Sequence, residues 1–244
     1  MASSEYVVEV KDLLKSFAIE QGMLSSLFSR GRKAREIRAV DGVSFAIRPG
    51  EILGLAGESG SGKSTTGMTV SSLYQATSGR ILIEGQDLTT IKGRAGLKEF
   101  RKRVQIVFQN PYEALNPRMT VFASVEEPLM LLHPGRAGRE TRFAKVVVAL
   151  ERAGLVPMEN FLERYPHQLS GGQLQRVALA RAISVEPRFL IADEPVSMLD
   201  VSIRAGVLNL LKRFARELDM GILYISHDLS TMAHVRSEEH TSEL

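Results

Sequence analysis

Ile52-Leu53-Gly54-Leu55-Ala56 runs straight into Gly57-Glu58-Ser59-Gly60-Ser61-Gly62-Lys63-Ser64. The first five residues are a short apolar run of strand type, and the pattern after the loop predicts a helix over 63–74. The loop matches G-x-x-x-x-G-K-[ST], in the strand–loop–helix context that this motif requires. Its glycines let the backbone curl until the N–H groups point inward around a phosphate, and the helix N-terminus adds its dipole. Lys63 is then placed for the β- and γ-phosphates and the Ser64 hydroxyl for Mg²⁺. Gly57, Glu58, Ser59, Gly60, Ser61, Gly62, Lys63, Ser64 and Thr65 are the candidate nucleotide-binding residues.

A second short apolar strand, Phe189-Leu190-Ile191-Ala192, ends in Asp193-Glu194. A buried strand delivers such carboxylates to the C-terminal edge of a sheet, where ligands bind in open α/β folds. Asp193 is suited to hold Mg²⁺ through water. Glu194, one residue further on, is suited to polarise the attacking water. Alone the pair is a common strand ending; behind a phosphate loop it is the expected second half of a site for ATP and Mg²⁺.

The whole chain of 244 residues reads as one domain large enough to bury its own core. Without cysteine it has no disulfide, thiolate metal site or cysteine nucleophile. A 44% apolar content excludes general disorder, and no apolar run approaches the roughly 18 residues of a membrane span. The net charge of +3 is too small an excess to imply nucleic acid. No signal-peptide pattern opens the chain, so it is expected to be cytoplasmic.

Further strands are expected at Tyr6–Val10, around Val43, Phe45 and Ile47, at Arg80–Glu84, at Arg103–Gln109 and at Ile222–Ile225. From Asn110 to about Arg181 helical signals dominate, with breaks at Pro117, Pro128, Pro134, Pro157 and Pro166, and another helix is expected over 203–218. An α/β core thus carries a β-rich portion at its start and a helical insertion at about 110–181. Within the β portion, Gln21–Arg38 combines one apolar helical turn with Arg30, Arg32, Lys33, Arg35 and Arg38. It reads either as a solvated insertion or as a membrane-surface or partner contact. His133, His167, His234 and His240 show no metal-ligand spacing.

Leu169-Ser170-Gly171-Gly172-Gln173 precedes a further helical run beginning Leu174-Gln175-Arg176. Its chance occurrence is on the order of one in several thousand for a chain of this length. Here the sequence resembles the ATP-binding cassette (ABC) family, whose signature this is. The physics is a second anion site at a helix N-terminus, with the Ser170 hydroxyl and the N–H groups of Gly171 and Gly172. The resemblance implies an α/β phosphate-loop core of ABC type, with an N-terminal antiparallel β portion and an inserted helical subdomain. It also implies a head-to-tail dimer in which Ser170, Gly171, Gly172 and Gln173 complete the ATP site of the opposite subunit, with Asp200 crossing the interface. By the same resemblance Gln109 touches Mg²⁺ and the attacking water, His227 senses the γ-phosphate, and Phe17 is a candidate to stack on adenine. As an aromatic in a β segment, Phe17 is equally well read as core.

Phe108-Gln109-Asn110-Pro111-Tyr112-Glu113-Ala114-Leu115-Asn116-Pro117, with Glu194-Pro195-Val196-Ser197-Met198-Leu199-Asp200, is similar to the ATP-binding subunits of bacterial oligopeptide and dipeptide importers. Nickel and glutathione importers share these patterns. The resemblance implies an ATPase at the cytoplasmic face of the inner membrane, peripheral through permease subunits, with an extracytoplasmic substrate-binding protein as an indirect partner. Non-transport cassette ATPases of translation or DNA repair are the alternative, and a nucleotide-binding regulatory module without turnover is a third class. The family pattern runs to Val235, giving a cassette over 1–235 that is expected to be incomplete at its C-terminus. Arg236-Ser237-Glu238-Glu239-His240-Thr241-Ser242-Glu243-Leu244 is what AGATCGGAAGAGCACACGTCTGAACTC encodes, a string that resembles a sequencing-library adapter. Residues 236–244 are therefore expected to be a foreign tail.

Overall fold

The computed structural model describes residues 5–18, 36–91, 93–132 and 138–236, and their strands fall into two sheets. The antiparallel sheet has the order β2-β1-β4-β5, from β1 (Val8–Ala18), β2 (Glu36–Ile47), β4 (Ser78–Ile83) and β5 (Gln86–Asp87). The parallel sheet has the order β3-β8-β7-β6, from β3 (Ile52–Ala56), β6 (Val104–Val107), β7 (Phe189–Asp193) and β8 (Gly221–Ser226). This is the mixed α/β architecture expected.

The central parallel strands β7 and β8 read as apolar runs because both of their faces are buried. Phe189 and Ile191 of β7 and Leu223 and Ile225 of β8 enter one core, shared with Val8, Val10 and Ile81 of the antiparallel sheet. Val70 of α1 (Lys63–Val70) belongs to the same core. The alternate residues Leu190, Ala192, Ile222 and Tyr224 enter the other core. There they meet α4 (Val121–Leu132), α5 (Arg139–Arg152), α6 (Gly171–Ile183), α7 (Val201–Leu218) and α8 (Leu229–Arg236). Period-two alternation therefore sorts one set of strands into two cores. Among the described residues no helix is long and apolar enough to cross a membrane.

Several boundaries differ from expectation, each for a local reason. β1 continues to Ala18 rather than stopping at Val10, because register shifts between Val10 and Ser16 break the alternation that marks a strand. Glu36–Arg38 are not part of an insertion; they pair with Ala18, Phe17 and Ser16 as the start of β2. The remaining Gln21–Arg35 stretch lies outside the described residues. α1 ends at Val70, not Tyr74, where Ser72 turns left-handed (φ 62°) and the N–H groups of Leu73 and Tyr74 both turn back to the Met68 carbonyl. Pro128 does not break α4. It shares a buried face with Val121, Ser124, Val125 and Leu129, and packing of that face offsets the missing N–H. β6 stops at Val107, where its pairing with β7 ends, so Gln109 lies two residues beyond the strand. The short α3 (Pro111–Ala114) follows it.

α2 (Gly93–Arg103) is amphipathic but strongly polar overall: Phe100 is its one buried residue, and Arg101, Lys102 and Arg103 favour its C-terminal end. Pro134, His133 and His240 fall outside the described residues, as do 237–244. His167 stacks on Tyr165, and His234 Nε2 lies 3.0 Å from Asn209 Oδ1.

Candidate active site

Every candidate group on the parallel sheet sits at the C-terminal end of a strand or just beyond it: the 57–62 loop after β3, Gln109 after β6, Asp193 and Glu194 at and after β7, His227 after β8. β8 lies between β3 and β7, so His227 emerges between the phosphate loop and the carboxylates.

The loop is folded for its role by two constraints. Gly62 has φ +91°, and a Cβ there would stand 2.0 Å from the Ala39 carbonyl oxygen of β2, so no other residue fits. Lys63 is 7% exposed and its Nζ donates to the carbonyls of Gly57 (2.7 Å) and Glu58 (2.6 Å) and to Ser61 Oγ (3.3 Å). Thr66 Oγ1 donates to the Gly62 carbonyl (3.0 Å), closing the turn from the helix side. Gly62→Ala is expected to destabilise the fold by about 2 kcal/mol or more. Gly60, also at positive φ but with nothing within 4 Å of its Cβ position, should tolerate Ala at a cost of about 1 kcal/mol. Denaturant midpoints of the two variants check this; equal midpoints would contradict it.

Behind the loop, the Ser64 hydroxyl donates to Asp193 Oδ1 at 3.1 Å. Asp193 is 6% exposed. Burial pushes its carboxyl above the usual carboxylate range; the Ser64 hydrogen bond opposes this, the neighbouring Glu194 adds to it, and the Lys63 ammonium opposes it. A buried carboxylate short of positive charge beside a hydroxyl is a donor set suited to a hard cation. Among the described residues no three His, Asp or Glu side chains gather into a metal cage.

Glu194 organises a second cluster. Its Oε1 lies 2.8 Å from His227 Nδ1, and its Oε2 accepts from Gln109 Nε2 at 3.1 Å. An ionised carboxylate only accepts, so Nδ1 carries a proton and Nε2 of His227 is left for another partner. The Glu194 backbone is left-handed (φ 47°), an unfavourable conformation for this residue. It is held by the Glu194 N–H donating to the Ile225 carbonyl (2.9 Å) and by Ser197 Oγ donating to the Glu194 carbonyl (3.0 Å). The turn lifts the carboxylate off the strand direction and onto His227 and Gln109.

Of the signature residues, Ser170 and Gln173 hydrogen-bond to each other, while Gly171 lines a small pocket together with Gln109. Ser170 caps α6 in a reciprocal box: its Oγ accepts from the Gln173 N–H (3.3 Å), and Gln173 Oε1 accepts from the Ser170 N–H (3.0 Å). The Ser170 hydroxyl proton stays available to an outside acceptor. Gly172 has a second, structural reason to be glycine, since a Cβ there would stand 2.6 Å from Ile203 Cγ2 of α7. Asp200 is exposed at the N-cap of α7 and its side chain makes no capping hydrogen bond. Phe17 is 36% exposed at the end of β1. It meets Tyr74 edge to face at 5.4 Å between centroids, with Lys15 Nζ 4.6 Å over its ring. Tyr74 escaped the sequence reading because it carries no motif; it sits between α1 and β4, and β4 pairs with β1.

The sequence pattern of the ABC transporter family matches residues 40–197. The oligopeptide transport ATP-binding protein AppF of Bacillus subtilis is 45% identical over 96% of this chain and 68% of its own. The glutathione import ATP-binding protein GsiA of Pectobacterium atrosepticum is 42% identical over 96% of this chain and 36% of its own. The chain therefore spans about two thirds of the first relative and about one third of the second. Among solved structures, the dimeric post-hydrolysis state of the ATP-binding cassette MJ0796 bound to ADP and Pi superposes with a TM-score of 0.77, at 30% identity over 93% of this chain and 90% of the other. With a phosphate loop, an aspartate–glutamate strand end and a capped Ser-Gly-Gly helix on this fold, the chain belongs to the ABC transporter family of ATP-binding cassette ATPases.

Proposed function

We propose that this chain is the ATP-hydrolysing subunit of a bacterial importer for oligopeptides, dipeptides or related small solutes such as glutathione. The observation that carries the hydrolytic part is the Glu194–His227–Gln109 cluster beside the Ser64–Asp193 pair at one sheet edge. Likeness to the oligopeptide and glutathione import proteins supports the cargo class.

In this reading the N–H groups of residues 57–65 and the Lys63 ammonium bind the ATP phosphates, and Phe17 stacks on the adenine. Ser64, Asp193 and Gln109 would hold Mg²⁺, which when bound would supply charge neutralisation to the transferring phosphoryl group. Glu194 accepts a proton from the attacking water as the water oxygen bonds to the γ-phosphorus and the bond from that phosphorus to the β–γ bridging oxygen breaks, so that ADP leaves and phosphate is released. His227, oriented through Nδ1, turns Nε2 toward the γ-phosphate, donating when protonated. Gln109 and His227 hold the carboxylate in place, so little reorganisation accompanies the reaction.

The Ser170–Gln173 helix end and Asp200 serve the ATP of a second cassette in a head-to-tail dimer. The helical block of about 110–181 and the Gln109 segment pass dimer closure to permease subunits at the cytoplasmic face of the membrane, where the chain is held peripherally. Co-purification in detergent tests the transport role. The expected result is that this chain carries integral-membrane subunits with it, and that Glu194→Gln abolishes uptake of a labelled oligopeptide. Recovery with ribosomes or DNA and no membrane subunit would overturn it.

A further inference from the structure

Arg204 lies one turn into α7, the helix that Asp200 caps, and its side chain touches two loops at once. Nε donates to the Leu199 carbonyl at 2.9 Å, and one terminal nitrogen stands 3.5 Å from Asp228 Oδ2. Leu199 immediately precedes Asp200, and Asp228 immediately follows His227. The two side chains are only 30% and 34% exposed, so their attraction is less screened than that of a surface pair.

Both ends of this bridge are themselves fixed. Asp228 Oδ1 accepts from the Ser230 N–H (2.9 Å) and hydroxyl (2.7 Å), which leaves Oδ2 to Arg204. The Asp228 N–H donates to Ser226 Oγ (3.0 Å), and Thr231 Oγ1 donates to its carbonyl (2.8 Å). The Ser230 hydrogen bonds hold the Asp228 carboxyl below the usual carboxylate range, so it remains an anion facing the guanidinium. On the other side, the Arg204 N–H donates to the Asp200 carbonyl (3.1 Å), and the Leu199 N–H to that of Val196 (3.1 Å).

We propose that Arg204 is a positioning residue that couples the 197–200 loop to the 227–228 turn, and so ties the segment that meets the second cassette to the histidine that orients Glu194. A guanidinium is a rigid planar fork, so its two contacts set one separation between the loops. Movement of the Leu199–Asp200 segment on dimer closure then displaces Asp228 and, one residue away, His227, whose Nδ1 holds Glu194 Oε1. Neither nucleotide nor water need touch Arg204. The proposal rests on the roles given above to Asp200, His227 and Glu194.

Steady-state ATPase measurements on the full chain test it, with ATP binding measured on each variant to establish that it folds. Arg204→Gln is expected to lower kcat by roughly 3- to 30-fold, within the range of coupling between contacting residues, while KM changes by less than about 2-fold. Arg204→Lys keeps the cation but not the fork, and should recover part of that loss. The Arg204→Gln/Asp228→Asn double variant should be no slower than the slower single variant, because both remove the same link. Arg204→Gln turning over at the wild-type rate, or single losses that multiply in the double variant, would overturn the coupling role. A Glu194→Gln control that still hydrolyses ATP overturns the hydrolytic reading and the proposal with it. A dead Glu194→Gln beside a wild-type-like Arg204→Gln overturns the proposal alone.

Discussion

Glu194→Gln is expected to lower ATP turnover by about 10²- to 10⁴-fold, the usual contribution of a positioned general base, while ATP affinity stays within a few-fold of wild type. The amide is nearly isosteric. Its oxygen can still accept from one of His227 and Gln109, now 2.8 and 3.1 Å from the two carboxylate oxygens. What disappears is the negative charge and the capacity to take a proton. Asp193, Ser64 and Lys63, which the reading gives to the metal and the phosphates, are untouched, so binding survives and the ATP-bound state accumulates. Single-turnover hydrolysis alongside equilibrium nucleotide binding separates the two effects. Near-normal hydrolysis would remove Glu194 from the role of base, whereas lost binding would make it a structural residue.

Lys63→Ala should have the opposite profile, with ATP affinity falling by about 10- to 150-fold, the equivalent of one charge-assisted hydrogen bond. Lys63 is buried and its ammonium ties the Gly57 and Glu58 carbonyls to the helix. The substitution therefore removes the charge facing the phosphates and also loosens the loop that presents its N–H groups. Fluorescent-nucleotide titration reads the change. Affinity within 2-fold of wild type would show that the backbone N–H groups alone carry phosphate binding.

The elements legible in the sequence are those whose cause is local. Residues 52–64 state their strand, turn and helix in one continuous stretch, and β7 shows its burial as an uninterrupted apolar run ending in Asp193. The Ser170-Gly171-Gly172 stretch announced a helix N-terminus, and the structure adds the reciprocal Ser170–Gln173 cap. Contacts made by chain reversal were beyond reach. Gln109 and His227 could be named one by one, but their convergence on one carboxylate joins positions 85 and 33 residues from Glu194, and it depends on a left-handed backbone that an ordinary glutamate does not announce. Pro128 misled because its cost is local while the packing that offsets it is tertiary. Arg204 gave no signal, since an arginine in the first turns of an amphipathic helix is ordinarily a solvated residue.

The claim on which the rest depends is that each ATP is enclosed by the phosphate loop of one chain and the Ser170 helix end of another. Solution mass of the Glu194→Gln chain, with and without Mg²⁺ and ATP, measures this most directly when Ser170→Arg is added as a second change. Losing the serine cap costs about 0.5–2 kcal/mol, so nucleotide binding by the monomer serves as the folding control. The predicted result is a mass that doubles on adding Mg²⁺ and ATP to Glu194→Gln, and stays monomeric when Ser170→Arg is also present although nucleotide still binds. A chain that remains monomeric with ATP bound, or a dimer indifferent to Ser170→Arg, would contradict the shared site.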